Sequence, residues 1–172
     1  METWDAIRAR RDVRSFSDRP IDPADLDRIL EAARRSPSST NWQPWDFVVV
    51  TDRAQLVDLA KVFPQGARHV PGSAATIALV APLPEDPMRR DWIEYDFGQV
   101  TMSIMLCAAD LGIGSGHAAV RDQDHARKVL GLPQDRWCVY LIPLGYPADR
   151  PLAPSTRPNR RPFDEVVHRG VW

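Results

Sequence analysis

The chain has 172 residues, with 22 Lys and Arg against 23 Asp and Glu, a net charge of −1 and 44% hydrophobic residues. That length predicts one domain, residues 1–172, able to bury a substantial core, and the balanced charge supplies no global basic field that would recruit nucleic acid. The chain starts without a basic-then-apolar leader and has no apolar run near 18 residues, which predicts a soluble cytoplasmic protein with no membrane span.

Trp4 to Arg11 reads as a short helix capped by Thr3, with Trp4, Ile7 and Arg11 on one face. It delivers a cluster of cations, Arg8, Arg10, Arg11 and Arg14, so any role for these arginines has to be local. Asp22 caps a second helix with Pro23 at its first position and Leu26, Ile29, Leu30 and Ala33 on its buried stripe, ending before Pro37. The polar turn Ser36 to Trp45 begins there. Closely spaced guanidinium groups suit a phosphate, and a turn rich in hydroxyls and amides suits the polar edge of a planar heterocycle, so the pair points to a phosphorylated ring cofactor. The alternative is a solvated helix end followed by an ordinary polar turn.

Phe47 to Val50 is a continuous apolar run, as expected of a strand covered on both faces, and Leu56, Leu59, Ala60 and Phe63 then repeat at helical spacing. Ala75 to Ala81 predicts a second covered strand. Pro82 to Arg90, with Pro82, Pro84 and Pro87, reads as a charged surface loop. Asp91 to Leu111 is the longest predicted helix and is apolar enough all round to be central and buried. Gly112, Gly114 and Gly116 follow a helix, so they do not make a dinucleotide fingerprint, which needs a strand before it and a helix after it. Asp122 caps a short helix that Gly131 closes, and Val139 to Leu144 is the last clear strand. Pro147, Pro151, Pro154, Pro158 and Pro162 then punctuate a tail with too little apolar material to pack on itself.

Cys107 and Cys138 sit in predicted buried elements and are assigned to the core. His69, His117, His125 and His168 are scattered without metal-binding spacing, so no metal site is expected.

Several blocks in order resemble the flavin-dependent nitroreductase family: Arg10 to Phe16, Leu30 to Ala33, Ser36 to Ser39 with Asn41 and Gln43-Pro44-Trp45, Asp96-Phe97-Gly98-Gln99, Ala108 to Gly114, Leu144 to Pro147, and Arg161 to His168. The resemblance spans nearly the whole chain. It implies an α+β fold with a mostly antiparallel central sheet flanked by helices, a long buried central helix, and a C-terminal arm, residues 147–172, exchanged across a homodimer. It also implies an NAD(P)H-utilising FMN oxidoreductase acting by a ping-pong mechanism on a nitroaromatic, a quinone or another electron-poor small molecule, with no catalytic side chain because the chemistry belongs to the flavin.

By the same resemblance Arg10, Arg11 and Arg14 bind the flavin phosphate and ribityl chain, joined by Arg160 or Arg161 from the arm. Pro37, Ser38, Ser39 and Asn41 reach the flavin of the other subunit. Ser115, Gly116 and His117 stand where the family presents main-chain amides to the hydride-accepting nitrogen. Asp12 departs from the serine most often found in the third position of the arginine motif, and it is also seen in the branch that consumes reduced flavin to make dimethylbenzimidazole. An ion pair among its arginine neighbours is the favoured role for it. Two alternatives stay open: a flavin-binding or sensing protein without turnover, and an enzyme like that flavin-consuming branch.

Overall fold

The computed structural model describes residues 1–157 and 159–172; Pro158, one of the tail prolines, lies outside the described residues. Ten elements follow in chain order: α1 (Thr3–Ala9), α2 (Pro23–Arg34), β1 (Asp46–Val50), α3 (Arg53–Leu59), β2 (Ala75–Pro82), α4 (Pro87–Asp110), β3 (Gly114–Ser115), β4 (Ala118–Ala119), α5 (Gln123–Leu130) and β5 (Arg136–Gly145). The strands form one antiparallel sheet in the order β1-β2-β5-β3, with β4 also paired to β5. This is the α+β architecture expected, an antiparallel sheet flanked by helices.

Side chains of a strand alternate between its two faces, and β2 shows why its run is continuously apolar. Ile77, Leu79 and Ala81 pack with Ile29 and Ala33 of α2 and with Ile93, Phe97, Val100 and Ile104 of α4. Ala78 and Val80 pack the opposite way, with Leu56, Leu59, Val62, Val70 and Ala126. Each fully buried Leu, Ile or Phe contributes about 1.5–3 kcal/mol relative to exposure, so the two clusters hold helices on both faces of the sheet.

Local signals set several boundaries. The Asp22 carboxylate accepts from Ala24 N–H at 2.8 Å with Pro23 beside it, opening α2 as expected. Asp122 accepts from His125 N–H at 2.9 Å, and Gly131 closes α5 at φ 66°, where glycine avoids the Cβ clash. Four expectations need correction. α1 starts at Thr3, without a side-chain cap, and stops at Ala9, because Arg10 onward runs extended along the sheet; Trp4 and Ile7 are exposed, and Ala6 and Ala9 form its buried side. α4 begins inside the expected loop, at Pro87, where Asp86 accepts from Arg89 N–H at 2.8 Å. β1 is a sheet edge: Phe47 and Val48 pack against the clusters on opposite faces but stay half-buried, so its cover is only partial. β5 is longer than Val139 to Leu144 and carries a bulge opposite Leu79 and Val80.

α4 is central but two-sided. Ile93, Asp96, Phe97, Val100, Ile104 and Ala108 are buried at spacings of three and four, while Trp92, Met102 and Tyr95, the last 71% exposed, lie outside. No helix among the described residues is long and apolar enough to cross a membrane. Cys138 is buried and Cys107, expected in the core, is half-buried against α2, where its thiol contacts Arg28 O at 3.7 Å. Burial pushes both thiols up, Cys138 to about 12, so neither is a thiolate near neutral pH.

Candidate functional site

Residues 10–17 leave α1 in extended conformation and are stitched to the far end of the sheet by main-chain bonds. Asp12 makes a parallel bridge to Ser115, Val13 N–H donates to Ser115 O at 2.9 Å, and Ser17 N–H donates to Tyr146 O at 2.8 Å. The close approach depends on the glycines after α4. A Cβ on Gly114 would lie 2.6 Å from the Val13 side chain, and one on Gly116 would lie 2.7 Å from Val13 O and 3.1 Å from the His69 ring. Larger residues there would push the arginine segment off the sheet.

This pairing brings Asp12, Arg14, Ser115, Gly116 and His117 together. The Asp12 carboxylate lies 3.8 Å from the Arg14 guanidinium and 3.5 Å from His117 Nδ1. Ser115 is buried, and Gly116 N–H donates to Pro143 O at 3.0 Å, so that amide belongs to the sheet ladder. Behind Gly116 sits His69, 8% exposed, whose Nε2 has no hydrogen-bond partner among the described residues. Burial first, and then the charge of Arg14, hold the His69 imidazole below its usual range, with Asp12 opposing. Sequence reasoning gave His69 no role, and no local pattern marks it.

Arg10 carries the other informative atom. Its Nε is buried without a hydrogen-bond partner among the described residues, a state that costs about 1–3 kcal/mol for a polar group and more for a charged one. The residue borders a groove of about 1130 Å³ between α1 and the tail, lined by Arg8, Arg10, Arg11, Arg150, Arg157 and Arg160. Arg11 is committed to the tail, donating to Asp149 Oδ1 at 2.7 Å and to Arg150 O at 2.9 Å, and this contact holds the Asp149 carboxyl below the usual carboxylate range. Arg160 lines the groove, whereas Arg161 faces Glu165. The tail also meets α1 through paired main-chain and side-chain bonds between Arg8 and Ser155.

Pro37, Ser38, Ser39 and Asn41 stand elsewhere. Ser39 N–H donates to both carboxylate oxygens of Asp96, at 3.1 and 3.0 Å, and Ser39 Oγ donates to Oδ1 at 3.2 Å. Gln43 N–H donates to Ser38 Oγ at 2.9 Å. Thr40, Asn41 and Gln43 all have φ between 54° and 58°, the left-handed region that non-glycine residues rarely adopt. Arg89 stacks over Trp42 at 5.0 Å and over Trp92 at 5.3 Å, covering the outer side of the turn. No hydrogen bond or ion pair among the described residues joins this loop to Arg10–Arg14. Asp96 was missed as a functional position, although its signal was present: a charged residue on the buried stripe of α4, three after Ile93 and four before Val100. Among the described residues no group of three His, Cys, Asp or Glu side chains is placed to hold a metal ion.

Residues 7–88 and 67–146 match the model of the nitroreductase family. A protein from Archaeoglobus fulgidus, provisionally designated NADH dehydrogenase/NAD(P)H nitroreductase, is 35% identical over 170 residues, covering 96% of each chain. A protein of the same provisional designation from Methanothermobacter thermautotrophicus is 31% identical over 88% of this chain and 80% of its own. Among solved structures, an FMN-dependent nitroreductase from Clostridium difficile superposes with a TM-score of 0.85 at 25% identity, covering 97% of this chain and 98% of its own.

Proposed function

The chain belongs to the nitroreductase family, and on that footing we propose that it is an FMN-dependent oxidoreductase moving reducing equivalents from NAD(P)H to a nitroaromatic, a quinone or another electron-poor small molecule. The observation that carries the cofactor assignment is the Arg10 Nε, buried and without a hydrogen-bond partner among the described residues, beside an arginine-lined groove. A phosphate supplies the acceptors that this donor lacks, and the planar fork of arginine suits its oxygens. When bound, FMN supplies a carrier that takes a hydride equivalent from NAD(P)H and passes it on, so that donor and oxidant use one place in turn. The dependence on NAD(P)H also supports a cytoplasmic setting, where that donor is kept.

Within this reading Arg10 and Arg14 hold the phosphate and ribityl chain, with Arg160 reaching in from the groove wall. Arg11 acts indirectly by tying the tail to the site through Asp149. The Gly114–Gly116 seam holds the arginine segment against the sheet, and the ring lies beside it, near Ser115 and His117. Ser38, Ser39 and Asn41 serve the equivalent site of a second copy, which makes the protein a homodimer. The separate placement of that loop supports this, as do the exposed faces of α4 and of the tail, where Phe163, Val171 and Trp172 lie open. The whole chain 1–172 then acts as one flavin-binding unit, its arm 147–172 meeting Arg11 and Arg8 of its own copy through Asp149 and Ser155 before it crosses to the partner. Deleting residues 147–172 should abolish dimerisation and flavin retention together; a flavin-loaded monomer in light scattering would refute the exchange.

Purified protein tests the activity directly. A yellow sample whose flavin absorbance bleaches on adding NADPH and returns on adding a quinone supports the oxidoreductase. A yellow sample that neither NADH nor NADPH bleaches indicates a flavin-binding protein without turnover, and a colourless one that takes up no added FMN removes the cofactor assignment.

A further inference from the structure

The reading above uses no side chain as an acid, yet reduction of a quinone or nitro oxygen takes up protons as well as electrons. One group beside the glycine seam is built to supply one. Asp12 is the single acid within Arg8–Arg14, and its bridge to Ser115 brings it next to a turn more than a hundred residues away in sequence. There its Oδ1 lies 3.5 Å from His117 Nδ1. The His117 side chain is 47% exposed, and its ring stands edge-on to Tyr140 at 6.4 Å, so two surroundings fix the ring while solvent reaches it.

We propose that His117 is the proton donor to the oxidant in this site and that Asp12 is its positioning residue; the proposal rests on the oxidoreductase reading. The Asp12 carboxylate 3.5 Å from Nδ1 leaves Nε2 as the nitrogen that faces the oxidant in this proposal. The balance is simple for a quinone. NAD(P)H is oxidised and supplies the hydride equivalent, two electrons and one proton, and His117 Nε2–H supplies the second proton to the quinone oxygen. The hydroquinone leaves, and the exposed imidazole recovers a proton from water.

The other charged and titratable groups facing His117 fit this division. Arg14 is engaged with Asp12, and Tyr140 on β5 meets the ring edge. His69, packed behind Gly116, is held towards its neutral form by burial and has no exposed route to an oxidant. It is therefore His117 whose proton can cycle. The departure of Asp12 from serine gains a purpose by this route, as an anion placed to hold one tautomer of its neighbour.

The test separates the two halves of the cycle in the FMN-loaded full chain by stopped-flow absorbance. His117→Gln should slow re-oxidation of the flavin by a naphthoquinone about a hundredfold, the low end of general-acid effects, and far more than it slows bleaching by NAD(P)H. The solvent isotope effect on re-oxidation should shrink with it. In the imidazole nitrogen spectrum of the protein, Asp12→Asn should redistribute the His117 proton between Nδ1 and Nε2, and Asp12→Glu should restore it. If the parent bleaches normally and His117→Gln re-oxidises at the parent rate with an unchanged pH profile, this proposal alone falls. If Asp12→Asn leaves the imidazole signals unmoved, Asp12 does not position the ring. If NAD(P)H never bleaches the parent, the oxidoreductase reading falls first and this one with it.

Discussion

Residues 10–17 are held by main-chain bonds to Ser115 and Tyr146, whereas residues 38–43 are held mainly by one buried side chain, Asp96, and turn through three left-handed backbone conformations. The first region is tied into the sheet by isolated bridges at Asp12 and Phe16. The second is a projection. It stores backbone strain of about 1–2 kcal/mol at each non-glycine left-handed residue, less at Asn41, and a single carboxylate and a stacked arginine offset it. In the function proposed above, the half-site that must be exact within its own chain is the woven one, and the half-site offered to a second copy is the pinned one.

Substituting the pin gives the largest expected effect. Asp96→Ala removes an ionic acceptor from Ser39 N–H and Oγ in a fully buried position, which should cost about 3 kcal/mol and lower Tm by roughly 6–12 °C for a chain of this size. Asp96→Asn, which keeps an acceptor, should lose less. Equal melting of Asp96→Ala and parent in calorimetry would mean that the loop is held by something else, and the contrast between the two regions would collapse.

Next comes Arg10→Ala. The woven region should keep its fold, because the main-chain bonds of residues 12–17 do not involve this side chain, but FMN affinity should fall more than tenfold as one charge-assisted bond to phosphate, about 1.5–3 kcal/mol, is lost. Flavin fluorescence titration reads this directly, and an unchanged Kd would overturn the phosphate assignment. If Tm also fell by more than a few degrees, the arginine would be structural as well.

The smallest effect sharpens the woven side by its response to acid. His69 has its folded pKa below its unfolded one, so unfolding takes up a proton and stability declines as pH drops from about 6.5 toward the lower folded value. His69→Gln should remove that part of the decline while leaving Tm at pH 8 nearly unchanged. Parallel Tm-against-pH curves for parent and variant between pH 8 and pH 5 would show that His69 titrates as it does in the unfolded chain.

What the sequence revealed followed the range of the forces involved. α2 and α5 were legible because Asp22-Pro23, Asp122 and Gly131 are local signals, and β2 because both of its faces are covered. The start of α4 was readable too, in Asp86-Pro87, but the neighbouring prolines and charges disguised it as loop. The end of α1 was not readable, since the partner that draws Arg10–Ser17 into extension is β3, far along the chain. The edge position of β1 depends on topology, which the short apolar run Phe47 to Val50 does not report. At the site, the arginine segment and the polar turn were marked by residue type, and their separation was foreseen only through resemblance. His69 became visible only when folding set it against Gly116. Arg11 and Asp149 show the reverse case, a cation marked for phosphate that the fold assigns to the tail.

The bridge between Asp12 and Ser115 also bears on how the molecule is made. Its two strands lie about a hundred positions apart, so the seam cannot close until β5, which pairs with β3, has left the ribosome. For most of its synthesis the nascent chain therefore has its arginine segment unpaired with the sheet. Under the proposed cofactor assignment, FMN capture would then be a late, post-translational event, and ribosome-bound chains stopped before Gly145 should retain no flavin while released full-length chains do.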